Sequence, residues 1–464
     1  MYLTRSQYLW LLLISVGLLR MASLAMYPLM DTTESRYGEI ARIMVETGNW
    51  VTPQIDYDIA FWGKPPLYAW VSASSIYLLG NTEFNLRLPH FLSAILVLIL
   101  LWKFTRHLKF SPTEASYSVS VVATSAGFLI AAGAIMTDML LCLSMAMSMT
   151  GFWRSWHGAR RYNIMLYTGL ALGLLAKGPI IMVLVGLAVF PWLVIHYGLI
   201  KMWREVWLRL NLLPGLMLML LISAPWYILA ERATPGFLEY FFIGEHFYRF
   251  IDSGWQGDLY GAGHAKARGT IWLYWLVFTL PWSPLILWMI IRHFFSARKI
   301  STVKPGLNSF LLLWLCSPML LFTFAGNILP AYILPGLPAT GLLIIVNYDF
   351  LKLNKKHALF IFGPLLMLIF MSYLSFYNDD NFSEKTLLKN GIDSPHPLYY
   401  YISRPYSAQY YSNGRALVVK SLPDQQNYYL AIKKDRLFKA VELNCQLKSE
   451  NRDRYLYFCS KTGD

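Results

Sequence analysis

Apolar runs near the roughly 20 residues that cross a bilayer as a helix recur along most of this chain, and no other feature limits its fold so strongly. About eleven are counted, at 8–27, 89–107, 115–136, 138–156, 162–177, 179–197, 210–230, 271–291, 307–326, 330–348 and 357–376. Of 464 residues 56% are hydrophobic and 14% charged, against roughly 25% charged in soluble domains. The expected fold class is a polytopic α-helical membrane protein with about eleven, and at most about thirteen, transmembrane helices.

The charge pattern orients it. With the amino terminus cytoplasmic, every second connection is basic: Lys103, Arg106 and Lys109; Arg154, Arg160 and Arg161; Lys201, Arg204 and Arg209; Arg292, Arg298, Lys299 and Lys304; Lys352, Lys355 and Lys356. This follows the positive-inside rule, so the net charge of +14 is a topological signal and not a nucleic-acid footprint. Arg5, the first apolar run and Ser23-Leu24-Ala25 have the outline of a cleavable signal, but Arg20 interrupts that run and a multi-spanning protein needs none.

Three larger pieces fall on the opposite, periplasmic side: loops 28–88 and 231–270, and the tail. The expected domains are 1–376, a transmembrane unit whose active site is built by the two loops, and 377–464, a small soluble α/β unit. In the tail Ala416–Val419 and Tyr428–Ile432 read as strands, and Ser407–Asn413 as a short helix stopped by Gly414. Cys445 and Cys459 lie there, either paired or as two free thiols.

The first loop concentrates polar chemistry. Its Asp31-Thr32-Thr33-Glu34-Ser35-Arg36-Tyr37-Gly38-Glu39 stretch reads as the start of an amphipathic helix over 34–47 lying in the interface. Lys64 sits in a stiff turn, Phe61-Trp62-Gly63-Lys64-Pro65-Pro66. Its ammonium is either a phosphate ligand or a snorkelling anchor. Asp138 and Lys177 lie at outer ends of apolar runs, where ionisable groups are costly and mark sites or partners; a helix N-cap is the alternative for Asp138. Lys177, Arg36, Lys64 and Arg249 together suit a lipid phosphate. In the second loop His246, beside Glu245, suits a divalent metal if a carboxylate joins it, although no ligand spacing is diagnostic. Its glycines suit a lid. Neither a Gly-Lys-Ser/Thr phosphate loop nor GxGxxG is present, so nucleotide hydrolysis has no support.

Taken in order, Asp31–Ala41, Gly48-Asn49-Trp50-Val51-Thr52-Pro53, Trp62–Pro66, Asp138, Leu175-Ala176-Lys177-Gly178, Glu245–Phe250 and Leu329–Pro335 resemble the aminoarabinose-transferase-like glycosyltransferases, grouped with the protein O-mannosyltransferases in the GT-C superfamily. The resemblance covers about the first three quarters of the chain. It implies an enzyme of a bacterial inner membrane that takes a sugar from a polyprenyl-phosphate donor and passes it, with inversion, to a periplasmic or outer-leaflet glycolipid or glycan, above all lipid A. It implies donor-phosphate contacts from Lys64, Arg36, Lys177 and Arg249, and substrate contacts from Tyr37 and Tyr332. Where relatives carry the acidic residue proposed as catalytic, this chain has Thr33, which leaves Glu34, Asp31 and Asp138 as candidates. Where relatives place a metal-binding Glu before the loop lysine, this chain has Gly63. The rival class is a transporter of a lipid-linked sugar, but its site belongs near the midplane, whereas these charges gather at one face.

Overall fold

Helices form where the apolar runs are, and break where proline and glycine interrupt them. The structure is a computed structural model describing residues 5–252, 255–260, 266–295, 305–347, 360–366, 368–369, 382–422, 427–435 and 445–460. Helix α1 (Arg5–Ser23) leads into a folded first loop. That loop holds α2 (Thr33–Thr47), a hairpin of β1 (Gln54–Asp56) and β2 (Ile59–Ala60), and α3 (Leu67–Leu79). Then come α4 (Glu83–His107), α5 (Pro112–Ala123), α6 (Ala126–Ala131), α7 (Thr137–Trp156), α8 (Asn163–Lys177), α9 (Ile180–Tyr197), α10 (Lys201–Leu210) and α11 (Leu212–Ala233). The second loop carries turns α12 (Phe237–Glu239) and α13 (Arg249–Ile251) around a π-helix, Tyr240–Tyr248. Helices α14 (Thr270–Phe278), α15 (Ser283–Phe295), α16 (Leu307–Thr323) and α17 (Leu337–Val346) complete the bundle, with a 3-10 segment over Pro330–Gly336 leading into α17.

Besides run 330–348, which begins as the 3-10 segment, two expected spans are not single helices. Run 115–136 divides into α5, α6 and an extended stretch, where Gly133 adopts φ +93° and a Cβ would meet the Leu24 side chain at 2.4 Å. Run 271–291 bends by 113° between α14 and α15, at Pro281 and Pro284, which cannot donate to a continuous helical ladder. Among the described residues four helices are long and apolar enough to cross a membrane alone, or five if the bent pair is one span. Run 357–376 lies largely outside the described residues; 360–366 is helical, and Phe360 stacks on Tyr117 with ring centroids 4.3 Å apart.

Close approach of α7 and α8 depends on small residues. A Cβ on Gly151 would lie 2.6 Å from the Leu166 nitrogen, and one on Gly169 would lie 2.8 Å from the Ser148 nitrogen. Backbones pack this tightly only where side chains are absent. Helix α10, which the apolar count passes over, exposes Trp203 and Trp207 on one side and buries Met202, Val206 and Leu210 on the other. That pattern suits a helix lying along the interface.

The tail folds as a mixed sheet of β3 (Leu398–Tyr401), β4 (Ala416–Val419), β5 (Tyr428–Lys433), β6 (Gln446–Glu450) and β7 (Arg454–Cys459), in the order β4-β3-β5-β7-β6. Strand β3 is parallel to β4 and β5, and β7 is antiparallel to β5 and β6. A helix spans Tyr406–Tyr411, and Cys445 and Cys459 are disulfide-bonded. The start of the tail at 377 lies outside the described residues. The sheet unit does not hang free. Arg404 pairs with Asp56 at 2.6 Å, the Ser407 amide donates to Asp31 at 3.0 Å, Tyr410 donates to Asn81 at 2.9 Å, and Lys385 pairs with Glu83. The tail is thus clamped onto the first loop.

Candidate functional site

Helix α2 anchors the core of the first loop, and none of its residues lines the cavity between Lys64 and Lys177. Tyr37, Ile40, Ala41 and Met44 pack with Tyr68, Ala69 and Ala73 of α3 and with Ile135 and Leu140. Tyr37 is buried against Tyr68, ring centroids 4.3 Å apart. Burial pushes its phenol up in pKa, against the opposing pull of Arg36 and Lys177.

The Lys64 turn is held from both loops. Tyr260 donates to the Ala60 carbonyl at 3.0 Å and accepts from the Trp62 amide at 2.8 Å, while Trp62 Nε1 donates to Thr234 at 3.1 Å. Gly63 lies against the Phe61 ring, where a Cβ would be 2.9 Å from it. So fixed, Lys64 ion-pairs with Glu245 of the π-helix. The same carboxylate accepts from Arg249 at 2.8 and 2.9 Å, and Arg249 also reaches Asp258 at 3.4 Å. Burial alone would raise the Glu245 pKa, but Lys64 and Arg249 reverse that and hold it below the ordinary carboxylate value.

Facing this cluster is a second pair. Lys177, the last residue of α8, meets Asp138 in the first turn of α7 at 2.5 Å, and its ammonium lies 4.2 Å from the centre of the Tyr332 ring. Gly178 ends α8 at φ +84°, and a Cβ there would strike Phe241 at 2.6 Å. A small cavity of about 90 Å³ separates the two clusters, lined by Lys64, Lys177, Glu245, His246, Arg249 and Tyr332 among others.

Several expected roles need correction. Glu34 does not line the cavity: it forms a two-pronged ion pair with buried Arg87 at 2.8 and 2.7 Å. Asp31 also points elsewhere, accepting from Ser35 at 2.6 Å and from the Ser407 amide and hydroxyl of the tail. At the start of α2 both face the α4 and tail side rather than the Lys64 turn. Arg36 lies off the cavity too, among the rings of Tyr37, Phe61 and Tyr406 at 5.3–5.7 Å, donating to the Tyr260 carbonyl. His246 turns Nδ1 to the Phe241 carbonyl at 2.7 Å and Nε2 to the Lys177 carbonyl at 3.1 Å. Burial depresses its pKa. Both ring nitrogens face carbonyls, and since a neutral imidazole carries one N–H only one of the two contacts is a donated hydrogen bond; among the described residues no group of three His, Cys, Asp or Glu side chains is arranged to hold a metal.

The residues that sequence reasoning missed are Glu245 and Asp258. Their one local signal is the Glu-x-x-x-Arg spacing of Glu245 and Arg249, which puts both on one helical face. The spacing from Lys64 to Glu245, 181 residues, is invisible in a single sequence.

A multi-pass α-helical membrane protein of the GT-C fold is the class these features define. Over 98% of both chains the fold matches the crystal structure of ArnT from Cupriavidus metallidurans bound to undecaprenyl phosphate, with a TM-score of 0.79 at 18% identity. An Archaeoglobus fulgidus oligosaccharyltransferase matches at a TM-score of 0.50 and 12% identity, over 88% of this chain and 64% of that one. In sequence, residues 8–241 match the profile of the dolichyl-phosphate-mannose-protein mannosyltransferase family, and the chain belongs to that family. It is similar to the undecaprenyl phosphate-alpha-4-amino-4-deoxy-L-arabinose arabinosyl transferase of Edwardsiella ictaluri, 28% identical over 72% of this chain and 58% of that protein. A Sodalis glossinidius enzyme of the same description is 30% identical over 67% of this chain and 53% of its own length. The chain thus spans under two thirds of these relatives.

Proposed function

We propose that this protein is an inverting glycosyltransferase that takes a sugar from a polyprenyl-phosphate donor and passes it to an acceptor at the periplasmic face of a bacterial inner membrane. The observation that carries this reading is the Lys64–Glu245–Arg249 cluster opposite Lys177 across a polar cavity. A donor phosphate entering there takes over from Glu245 as the partner of Lys64 and Arg249, with Lys177 as a third cation. In the reaction the bond from the anomeric carbon to the phosphate oxygen breaks, an acceptor oxygen bonds to the opposite face of that carbon, and polyprenyl phosphate departs as an anion. Fixed cations stabilise the charge growing on the leaving oxygen. Tyr332 walls the sugar side, whereas Tyr37, buried against Tyr68, is not among the cavity's lining residues.

The acceptor is a phosphate-bearing glycolipid, such as lipid A. In the donor-free site both carboxylates beside the cavity are ion-paired, Glu245 with Lys64 and Arg249 and Asp138 with Lys177, so neither stands ready as a base. A phosphate oxygen is already an anion and needs no strong base, unlike a sugar hydroxyl. The test is turnover: purified protein with a polyprenyl-phosphate sugar and lipid A should release polyprenyl phosphate. Movement of the donor across vesicles without release would favour a transporter instead.

The topology belongs to this proposal: about eleven crossings, the amino terminus cytoplasmic, the bent pair α14–α15 a true crossing, and the tail a periplasmic domain from about 377. In spheroplasts, cysteines at Asn49 and Asn413 should react with an impermeant thiol reagent, whereas cysteines at Lys201 and Arg298 should not. Labelling at Arg298 would make α14–α15 a re-entrant loop.

A further inference from the structure

Among the described residues, five Arg or Lys residues are at least nine-tenths buried: Arg20, Arg42, Arg87, Lys177 and Arg454. Four of them face a carboxylate, namely Glu39, Glu34, Asp138 and Glu384. Arg20 alone has no ion-pair partner among the described residues. Its hydrogen bonds go to the Ala132 and Ile130 carbonyls, the Ser23 hydroxyl and the Tyr27 hydroxyl, at 2.8–3.2 Å. These four bonds leave one N–H of Nη1, since a guanidinium offers five, and among the described residues no carboxylate balances its charge. A buried charge without a counter-charge is costly, so an anion from outside the chain is the natural partner.

Arg20 lines an otherwise apolar crevice of about 550 Å³ between α1, α4, α5 and α6. On α1 the lining runs from Trp10 to Met21, and on α4 from Phe91 to Trp102. Eleven helical steps cover roughly 16 Å, about half of a ~30 Å hydrocarbon core. That is the depth of one leaflet. No lining residue is shared with the donor cavity.

We infer that this crevice is a binding site for a glycerophospholipid, with an acyl chain along α1 and α4 and the headgroup phosphate on Arg20. It is separate from the donor site and does not depend on the proposed transfer reaction. Charge complementarity selects the phosphate, and depth selects a chain lying in one leaflet.

Gly17 supplies a clean test, because it lines the crevice and a Cβ there meets nothing within 4 Å. Delipidated protein in detergent micelles would be titrated by native mass spectrometry with phosphatidylglycerol, with diacylglycerol as the phosphate-free probe, and with polyprenyl phosphate. Unaltered protein should hold one phosphatidylglycerol in preference to diacylglycerol. Gly17→Trp fills the crevice and should weaken phosphatidylglycerol binding by at least about tenfold while leaving polyprenyl-phosphate binding unchanged. Arg20→Gln should erase the preference for phosphatidylglycerol over diacylglycerol. Should that variant fail to fold, Gly17→Trp still decides the matter. Phosphatidylglycerol retained on Gly17→Trp overturns the site. Loss of polyprenyl phosphate from the same variant makes the crevice the donor's own tail groove and overturns it too. An unaltered protein that binds no phospholipid means the chain fills its own crevice.

Discussion

Two charged stretches of the first loop, one around Asp31 and Glu34 and one around Lys64, do different work. At the loop's start, Asp31 and Glu34 are spent on architecture, one holding the Ser407 segment of the tail and the other neutralising Arg87 inside the bundle. Further along, the Lys64 turn aims one ammonium into a cavity that three further charged side chains, Lys177, Glu245 and Arg249, also reach. Charge density made the first stretch the more conspicuous in sequence. Function follows where a charge points, and here that depends on partners far along the chain.

The largest expected effect separates the two stretches directly. Lys64→Ala should lower transfer by about 10²–10³-fold, the usual cost of losing one charge-stabilising donor, with a smaller fall in melting temperature than Glu34→Gln because Arg249 still pairs with Glu245. Near-normal turnover in that variant would move the donor phosphate elsewhere.

Glu34→Gln should do the reverse. It strips the counter-charge from a fully buried Arg87, which typically costs about 3 kcal/mol or more of stability, while the rate per folded molecule holds. Measuring thermal unfolding and turnover on the same preparation checks this, and a rate loss of about 10²-fold without destabilisation would restore Glu34 as a catalytic base.

A smaller loss is expected at the seam between loop and tail. Arg404→Ala removes the ion pair with partly exposed Asp56 and should cost about 1 kcal/mol or less, visible as faster proteolysis of the tail and not as a lost reaction. Proteolysis as slow as in the unaltered protein would place the holding force in Ser407 and Tyr410 instead.

The smallest effect concerns pH. Glu245 has a folded pKa below its ordinary 4.5, so the stability from its ion pairs is present above that value and lost as pH falls through the folded pKa. Melting temperature should therefore show no Glu245-dependent change between pH 7 and about 5. Glu245→Gln should blunt only the decline at lower pH, and a difference in slope near neutrality would contradict the depressed pKa.

Much of this was legible beforehand for a physical reason: lipid demands runs of about 20 apolar residues, so α1, α4, α9 and α11 announce themselves. Asp138 and Lys177 were legible as charges where charges are costly and Lys64 as a cation in a stiff aromatic turn, and the structure brings all three to the cavity region. The helix expected over 34–47 is α2, and the tail strands fall at Ala416–Val419 and Tyr428–Lys433. What was not legible is pairing at a distance. Nothing near Glu34 in sequence announces Arg87, 53 residues on, and nothing near Lys64 announces Glu245. Run 271–291 is apolar enough to read as one helix, and membrane helices often tolerate prolines such as Pro281 and Pro284 without a sharp bend.

The bond between Asp31 and Ser407 spans 376 residues, and it has a consequence for the order of assembly. A ribosome adding about 5–20 residues per second makes Ser407 roughly 20–75 s after Asp31. Throughout that interval the first loop has reached its compartment without the partner that finishes it, so the earliest polar segment to be made is among the last to be sealed.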